Sequence, residues 1–235
     1  MNSMASIDML EAAAYALVSA RCRPSYLHDI RGGLQALHSG VELLVRVAQS
    51  PAPDPVLAGK AAGLARNALV KHEKALVDLL DQMAPRREAV AAINVGEMLA
   101  DVLRFLRNEA ATKSITFRFE ATQDILVLAH AHRFRLLMLG LCVTLIDELA
   151  GGSSVEITAA KSDRYAVIEI ISILPNPAIP TLEQSPLGTG LACSLRELLL
   201  FLTQAWASEH GGRLELEVAA PPANAIRLYH PLHAA

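Results

Sequence analysis

The segment from Leu27 to Leu37 carries the residues best suited to phosphoryl chemistry. His28 and Asp29 lie off the apolar side of a predicted helix, so the His28 imidazole is expected to face water. A neutral imidazole, with an ordinary pKa of about 6.5, is a competent nucleophile toward phosphorus, and an adjacent carboxylate can orient the ring and accept its other proton. Arg31, one turn further on, can offset the negative charge of an added phosphoryl group.

The residues after this pair predict a surface for another protein. Gly32 and Gly33 make the helix locally less stable, at a cost of about 1 kcal/mol each in helix propensity. They also leave room for a partner's backbone beside the imidazole. Polar residues at helical spacing form the candidate docking face: Arg31, Gln35, Ser39 and Glu42. A His-Asp pair on a helix is by itself equally compatible with an ordinary solvated histidine.

Apolar spacing predicts that these residues lie on the first of two long helices. Ile7 to Gln49 is expected to be helical, with Ser6 as the N-cap and a break or kink at Pro24. Beyond the proline, apolar residues follow the three-and-four spacing of a bundle seam, and we expect that face to be buried against other helices. The seam consists of Leu27, Ile30, Leu34, Leu37, Val41 and Leu44.

A proline-rich stretch at residues 50–55 predicts the turn of a helical hairpin. The second helix is expected over Val56 to Met83, with an inner face of Leu57, Ala61, Leu64, Ala68, Leu76, Leu79 and Met83. Because two antiparallel helices have only each other to cover their apolar stripes, two chains are expected to pair as a four-helix bundle. The sequence therefore predicts a homodimer.

Strand signals begin only after about Ser114, which divides the chain into a hairpin at 1–84 and an α/β domain at 85–235. Helices are expected at 95–113, 133–149 and within 191–209, with a proline-rich loop at 175–186. Strands are expected at 115–120, 125–129, 155–159, 166–173, 213–218 and 225–229. This alternation predicts a mixed sheet with helices on one face.

Composition excludes several classes of protein. With 52% hydrophobic residues the chain is not disordered, and a net charge of -3 disfavours nucleic-acid binding. The apolar run at 136–146 is too short to span a membrane, and the N-terminus lacks the basic region of a secretory signal. Three cysteines without CxxC spacing are expected to be reduced structural thiols, which favours the cytoplasm.

The segment around His28 resembles the H-box of two-component histidine kinases, in which the phosphorylated histidine is followed by an acidic residue, Leu or Ile, and Arg. The hairpin likewise resembles their dimerisation and histidine-phosphotransfer domain. This resemblance implies that His28 is the phospho-acceptor. It also implies that Asp29 assists it and that receiver domains of response regulators and an upstream kinase are its partners.

The second half resembles the ATP-binding domain of the same kinases, with departures at the nucleotide site. Thr144 stands where the family has a Mg²⁺-binding Asn, and Leu174 stands where it has the Asp that binds adenine. Of the family's glycine boxes, Gly188 and Gly190 remain. The resemblance therefore implies a degenerate ATP site and no resident cofactor, with ATP and Mg²⁺ bound only if the divergent site works. His130 and His132 lack a third ligand, so no metal site is expected.

The Gly211-Gly212 pair is most simply a helix C-cap. Leu198 to Phe201 is expected to belong to the core, and Asp147-Glu148 to a solvated helix end.

Three functions follow from the resemblance. The first is a histidine phosphotransfer protein that shuttles a phosphoryl group between receiver aspartates through His28. The second is an active kinase that phosphorylates His28 from ATP. The third is a non-catalytic pseudokinase that binds a response regulator.

Overall fold

Two long helices occupy the first third of the chain. A computed structural model describes residues 3–52, 54–83, 89–122, 124–173, 194–217 and 223–233. Helix α1 spans Ser3–Ala48 and helix α2 spans Pro55–Met83. Both helices were predicted, but α1 begins at Ser3 rather than after Ser6, and it continues through Pro24. The helix does not break at Pro24, because a proline removes one backbone donor while the remaining helical hydrogen bonds persist.

A side-chain cap begins α2, and small residues lie where α1 and α2 meet in the hairpin. Asp54 caps α2, since its Oδ1 accepts a hydrogen bond of 2.8 Å from the backbone N–H of Val56. A methyl group built on Gly40 would lie 3.0 Å from the backbone nitrogen of Ala65. Such a distance leaves no room for a larger side chain, so the two helices approach closely at this level.

Three large apolar residues of the predicted seam of α1 lie on another face. Leu27, Leu34 and Val41 are 51%, 50% and 46% exposed, so within one chain half of the predicted seam lies in solvent. The other half is partly covered, since Ile30, Leu37 and Leu44 are half-buried. The physical reason is that the hairpin contact uses the line of Gly33 and Gly40, which leaves the leucine line uncovered. On α2, Ala61 and Ala68 are buried while three leucines of the predicted inner face are exposed: Leu57, Leu64 and Leu76.

The α/β part contains a five-stranded mixed sheet in the order β2-β4-β5-β7-β6. Its strands are β2 (Thr116–Ala121), β4 (Ser154–Ser162), β5 (Tyr165–Ile173), β6 (Arg213–Glu217) and β7 (Ala223–Pro231). Strands β2 and β4 pair in parallel and the other neighbours are antiparallel. A separate antiparallel pair joins β1 (Ala91–Asn94) to β3 (Leu126–Ala129). The mixed sheet is confirmed, and β1 is an addition to the predicted elements.

Three helices pack with this sheet: α3 (Val95–Thr112), α4 (Ala131–Glu148) and α5 (Leu195–Glu209). Asn94 caps α3 through its Oδ1, and Ser194 with Glu197 forms a capping box at α5. Residues 136–146 of α4 are all buried, which identifies α4 as a central core helix. Phe134 of α4 stacks on Trp206 of α5 with ring centroids 5.1 Å apart.

By its internal contacts the chain forms two units, one of Ser19–Arg86 and the other of Met1–Val18 together with Arg87–Ala235. In the second unit, Ala14 and Val18 are fully buried, and Arg133 pairs with both Glu11 and Glu209. A methyl group on Gly140 would lie 3.0 Å from Val18 Cγ2. The first part of α1 is therefore a packed element of the α/β unit.

Within the parts of the chain described above, no helix combines the length and apolar character needed to cross a membrane. Cys22 and Cys142 are buried thiols that form no disulfide, and burial raises the pKa of the Cys142 thiol to about 12. The third cysteine, Cys193, lies outside the described residues.

Candidate functional site

His28 and Asp29 form an exposed histidine-carboxylate pair on α1. Their side chains are 77% and 44% exposed, and His28 Nδ1 lies 3.6 Å from Asp29 Oδ1. This distance is too long for a hydrogen bond, but a protonated ring at this distance would form an ion pair. Because the carboxylate is on the Nδ1 side of the ring, Nε2 is the nitrogen left for a reaction partner.

The predicted docking face lies in solvent as expected. Its four residues, Arg31, Gln35, Ser39 and Glu42, are all exposed and follow His28 in steps of three or four, which places them on one side of α1. Among the residues that the structure describes, Arg31 has no carboxylate partner, so its charge is available to an incoming anion.

A second histidine-carboxylate pair on α1 was not predicted. His38 Nε2 lies 3.6 Å from Glu42 Oε1, one turn away, and both side chains are exposed. Here the carboxylate is on the Nε2 side, the opposite arrangement to that of His28. The i,i+4 spacing in the sequence was a signal that could have revealed this pair.

The nucleotide-site residues were predicted to lie at Thr144, Leu174, Gly188 and Gly190. Thr144 is buried in α4, and its Oγ1 donates a hydrogen bond of 2.8 Å to the carbonyl of Leu141. A hydroxyl held by its own helix in the core does not fit the role of a metal ligand. Leu174, Gly188 and Gly190 lie outside the described residues. In the described ranges, no three His, Cys, Asp or Glu side chains are grouped so that they could hold a metal ion.

The Gly211-Gly212 pair ends α5, and the predicted C-cap is confirmed. Gly211 has a φ of 75°, and a methyl group on Gly212 would lie 2.0 Å from the carbonyl oxygen of Tyr229. The expectation that Leu198 to Phe201 belongs to the core holds for Leu199, which is fully buried, but not for Phe201, which is 50% exposed.

Charged side chains at the end of α4 are exposed, as predicted, but they are paired. Asp147 contacts Lys113 at 2.7 Å, and Glu148 contacts Arg196 at the same distance.

An aromatic cluster that sequence reasoning missed lies between α5 and β7. The rings of His210 and His230 lie 5.1 Å and 4.8 Å from that of Trp206. His230 is buried, its Nδ1 lies 2.9 Å from the carbonyl of Pro231, and burial lowers its pKa. Trp206 and His210 are four residues apart, but the contacts of His230 join residues distant in sequence, so no local pattern indicates the cluster.

The chain matches known proteins in its fold but not in its sequence. No protein-family model matches the chain, and no curated protein matches it either. Solved structures do match. The catalytic domain of histidine kinase ThkA has a TM-score of 0.51 at 18% identity, over 61% of this chain and 97% of its own. The chain has the fold of a histidine kinase.

Two further structures extend this likeness beyond the catalytic domain. A histidine kinase from Burkholderia phymatum STM815 covers 100% of both chains with a TM-score of 0.50 at 16% identity. ThkA in complex with the response regulator protein TrrA matches 88% of this chain and 60% of its own, with a TM-score of 0.51 at 18% identity. At these identities the likeness is one of fold, and the histidine kinase fold includes the helical part of the chain.

Proposed function

We propose that the protein is a cytoplasmic histidine phosphotransfer protein of a two-component phosphorelay. His28 takes a phosphoryl group from an aspartyl phosphate on one receiver domain and passes it to the aspartate of another. The observation that carries this proposal is the His28-Asp29 pair, an exposed imidazole with its carboxylate on the Nδ1 side, on a chain with the histidine kinase fold.

The transfer requires only groups that the pair and the receiver supply. The lone pair of Nε2 attacks phosphorus, a N–P bond forms, and the P–O bond of the acyl phosphate breaks with its electrons on the receiver carboxylate. The Nδ1 proton passes to Asp29 or to water, which leaves a neutral phosphorylated ring. The second transfer is the reverse of these steps on another receiver. Arg31 lies one turn away, where its charge offsets that of the phosphoryl group.

Two observations support the proposed partners. ThkA, which shares the fold, was solved with a response regulator bound. The exposed face of α1 beside His28 is polar, which suits a transient partner. The upstream donor is a phosphorylated kinase-linked receiver, and Mg²⁺ belongs to the receivers rather than to this chain.

We propose a homodimer on separate grounds. Leu27, Leu34 and Val41 form an exposed stripe on α1, and Leu57 and Leu64 are exposed on α2. Large apolar residues at heptad spacing on a surface helix indicate a helical partner, and a second copy carries the matching stripe.

No step is assigned to ATP, because Thr144 does not fit the metal-ligand role. An active kinase and a non-catalytic pseudokinase are therefore outcomes of the test rather than parts of the proposal.

The test compares phosphoryl donors on the same protein. Full-length protein is incubated with Mg²⁺·ATP, or with phosphorylated receiver domains from the same genome, and labelling is located by mass spectrometry at alkaline pH. We expect label on His28 from at least one receiver and none from ATP. His28→Ala removes the label, whereas His38→Ala, at the other exposed histidine-carboxylate pair of α1, retains it.

Each contrary outcome has a distinct meaning. Label on His28 from ATP alone would establish a kinase and overturn the proposal. Binding to a receiver that survives His28→Ala, without label from any donor, would establish a pseudokinase.

A further inference from the structure

We propose that Gly32 is a positioning residue, whose missing side chain leaves the clearance that a receiver domain needs to bring its aspartyl phosphate to His28. This inference rests on the proposed function. Gly32 would allow the close approach of the partner's backbone. This role concerns docking rather than the chemistry of the imidazole.

The packing of the hairpin accounts for two of the three glycines of α1. A methyl group on Gly33 would lie 3.2 Å from Cβ of His72, and one on Gly40 would lie 3.0 Å from the backbone nitrogen of Ala65. Both glycines therefore allow α2 to approach α1. Gly32 differs, because a methyl group built on it meets no atom within 4 Å.

The absence of a side chain at position 32 has no benefit within the described chain. Glycine in the interior of a helix is less favourable than alanine, because it loses more conformational entropy on folding. Gly32 lies inside α1, is exposed, and has open space around it. Gly59 and Gly63 of α2 are exposed in the same way, so Gly32 is distinguished by its place four residues after His28.

Gly32 lies where a body outside the chain would use this open space. It follows His28 by four residues, so the two lie on the same side of α1 in successive turns, with Cβ positions about 5–6 Å apart. Transfer requires phosphorus and Nε2 to come within about 3.5 Å, and the donor is a short aspartate side chain on a folded domain. The domain's backbone must therefore pass close to the helix beside His28, where Gly32 presents no side chain.

Donors of different size distinguish a role of Gly32 in docking from an effect of Gly32 on the His28 nucleophile. Phosphoramidate is a small donor whose P–N bond breaks with release of ammonia, and it needs no clearance at position 32. A receiver domain does need clearance at position 32. We therefore compare Gly32→Ala and Gly32→Gln in both reactions, measuring labelling of His28 by phosphoramidate and transfer from labelled His28 to an accepting receiver.

Two glycines of α2 provide matched controls. Gly59 and Gly63 are exposed helix residues around which a methyl group also meets nothing within 4 Å. Alanine at either position raises the melting temperature by a few degrees, as does Gly32→Ala, through the same gain in helix propensity. We expect the controls to transfer at the wild-type rate. Gly32→Gln is expected to slow transfer at least tenfold while phosphoramidate labelling stays within twofold.

The outcomes separate this inference from the proposed function. Transfer by Gly32→Gln at the wild-type rate would overturn the role of Gly32 and leave the phosphotransfer function intact. Equal slowing of phosphoramidate labelling and receiver transfer would also overturn it, because the substitution would then act on His28 itself. Failure of the wild-type protein to exchange label with any receiver would instead overturn the proposed function.

Discussion

In the proposed transfer, Asp29 is a proton acceptor for His28, and the structure shows no hydrogen bond between the two side chains. A ring that gains positive charge as Nε2 bonds to phosphorus would attract the Asp29 carboxylate, which lies 3.6 Å from Nδ1. Asp29→Asn keeps the shape and removes the charge, and we expect phosphoramidate labelling of His28 to fall about tenfold. Glu42→Gln, in the His38 pair, is the matched control. An unchanged rate in Asp29→Asn would mean that water takes the proton.

His230 makes the stability of the α/β unit depend on pH. Burial lowers its pKa, so the unfolded chain binds a proton more readily than the folded one. The contribution of His230 to stability is fully present above the unfolded pKa of about 6.5, and it is lost as the pH falls through the lower pKa of the folded state.

We therefore expect the free energy of unfolding to decrease from pH 7.5 to pH 5.5. Trp206 is the single tryptophan of the chain and lies against His230, so its fluorescence reports urea unfolding of this unit. His230→Phe should reduce the pH dependence, whereas His210→Gln, at the half-exposed ring, should retain most of it. A wild-type stability that rises toward pH 5.5 would contradict the assigned sign.

At the residue scale, the sequence predicted which side chains are exposed, because the periodic spacing of apolar residues indicates this. The exposure of His28, Arg31 and Gln35 was predicted from their places off the apolar positions of the helix. The state of the Thr144 hydroxyl could not be predicted, because it depends on whether the side chain turns to its own backbone or to a ligand.

At the scale of elements, the first turns of α1 act as a structural helix of the α/β unit. Val18 is fully buried near Gly140, while its neighbour Leu17 is 50% exposed. Val18→Ala is expected to lower the free energy of unfolding by about 2 kcal/mol, because it removes buried methyl groups and leaves a cavity. Leu17→Ala should change it by less than about 0.5 kcal/mol. Equal effects, measured by urea unfolding with Trp206 fluorescence, would place this segment outside the unit.

Sequence patterns identified most helices and strands, but they did not predict that α1 is divided between two units. Alternating β-branched residues predicted β4 and β5, whose inward positions are buried as expected. Strand β1 was missed because its residues, two alanines, an isoleucine and an asparagine, give a weak strand signal, whereas β3 is equally short but consists of leucines, valine and alanine. The grouping of residues up to Val18 with the α/β unit depends on long-range contacts with α4, which an alanine-rich helical pattern does not encode.

At the scale of the whole molecule, the hairpin has two different faces. Its inner line of Gly33, Gly40 and Ala65 holds α1 close to α2, and its outer line of Leu27, Leu34 and Val41 is left in solvent. A chain that needed only a hairpin would place its leucines between the two helices. The leucines outside and the glycines inside favour a second layer of helices, supplied by another copy.

Leu34→Asp tests the proposed dimer. Each dimer contains the substitution twice, and each copy loses about 1.5–3 kcal/mol of apolar burial, so the dissociation constant should rise at least about a hundredfold. Light scattering after size-exclusion chromatography measures the change as a shift from dimer to monomer. Leu216→Asp, at an exposed leucine of the edge strand β6, should leave the dimer intact. If the wild-type chain is a monomer at micromolar concentration, the exposed leucine stripe must be covered by a different protein.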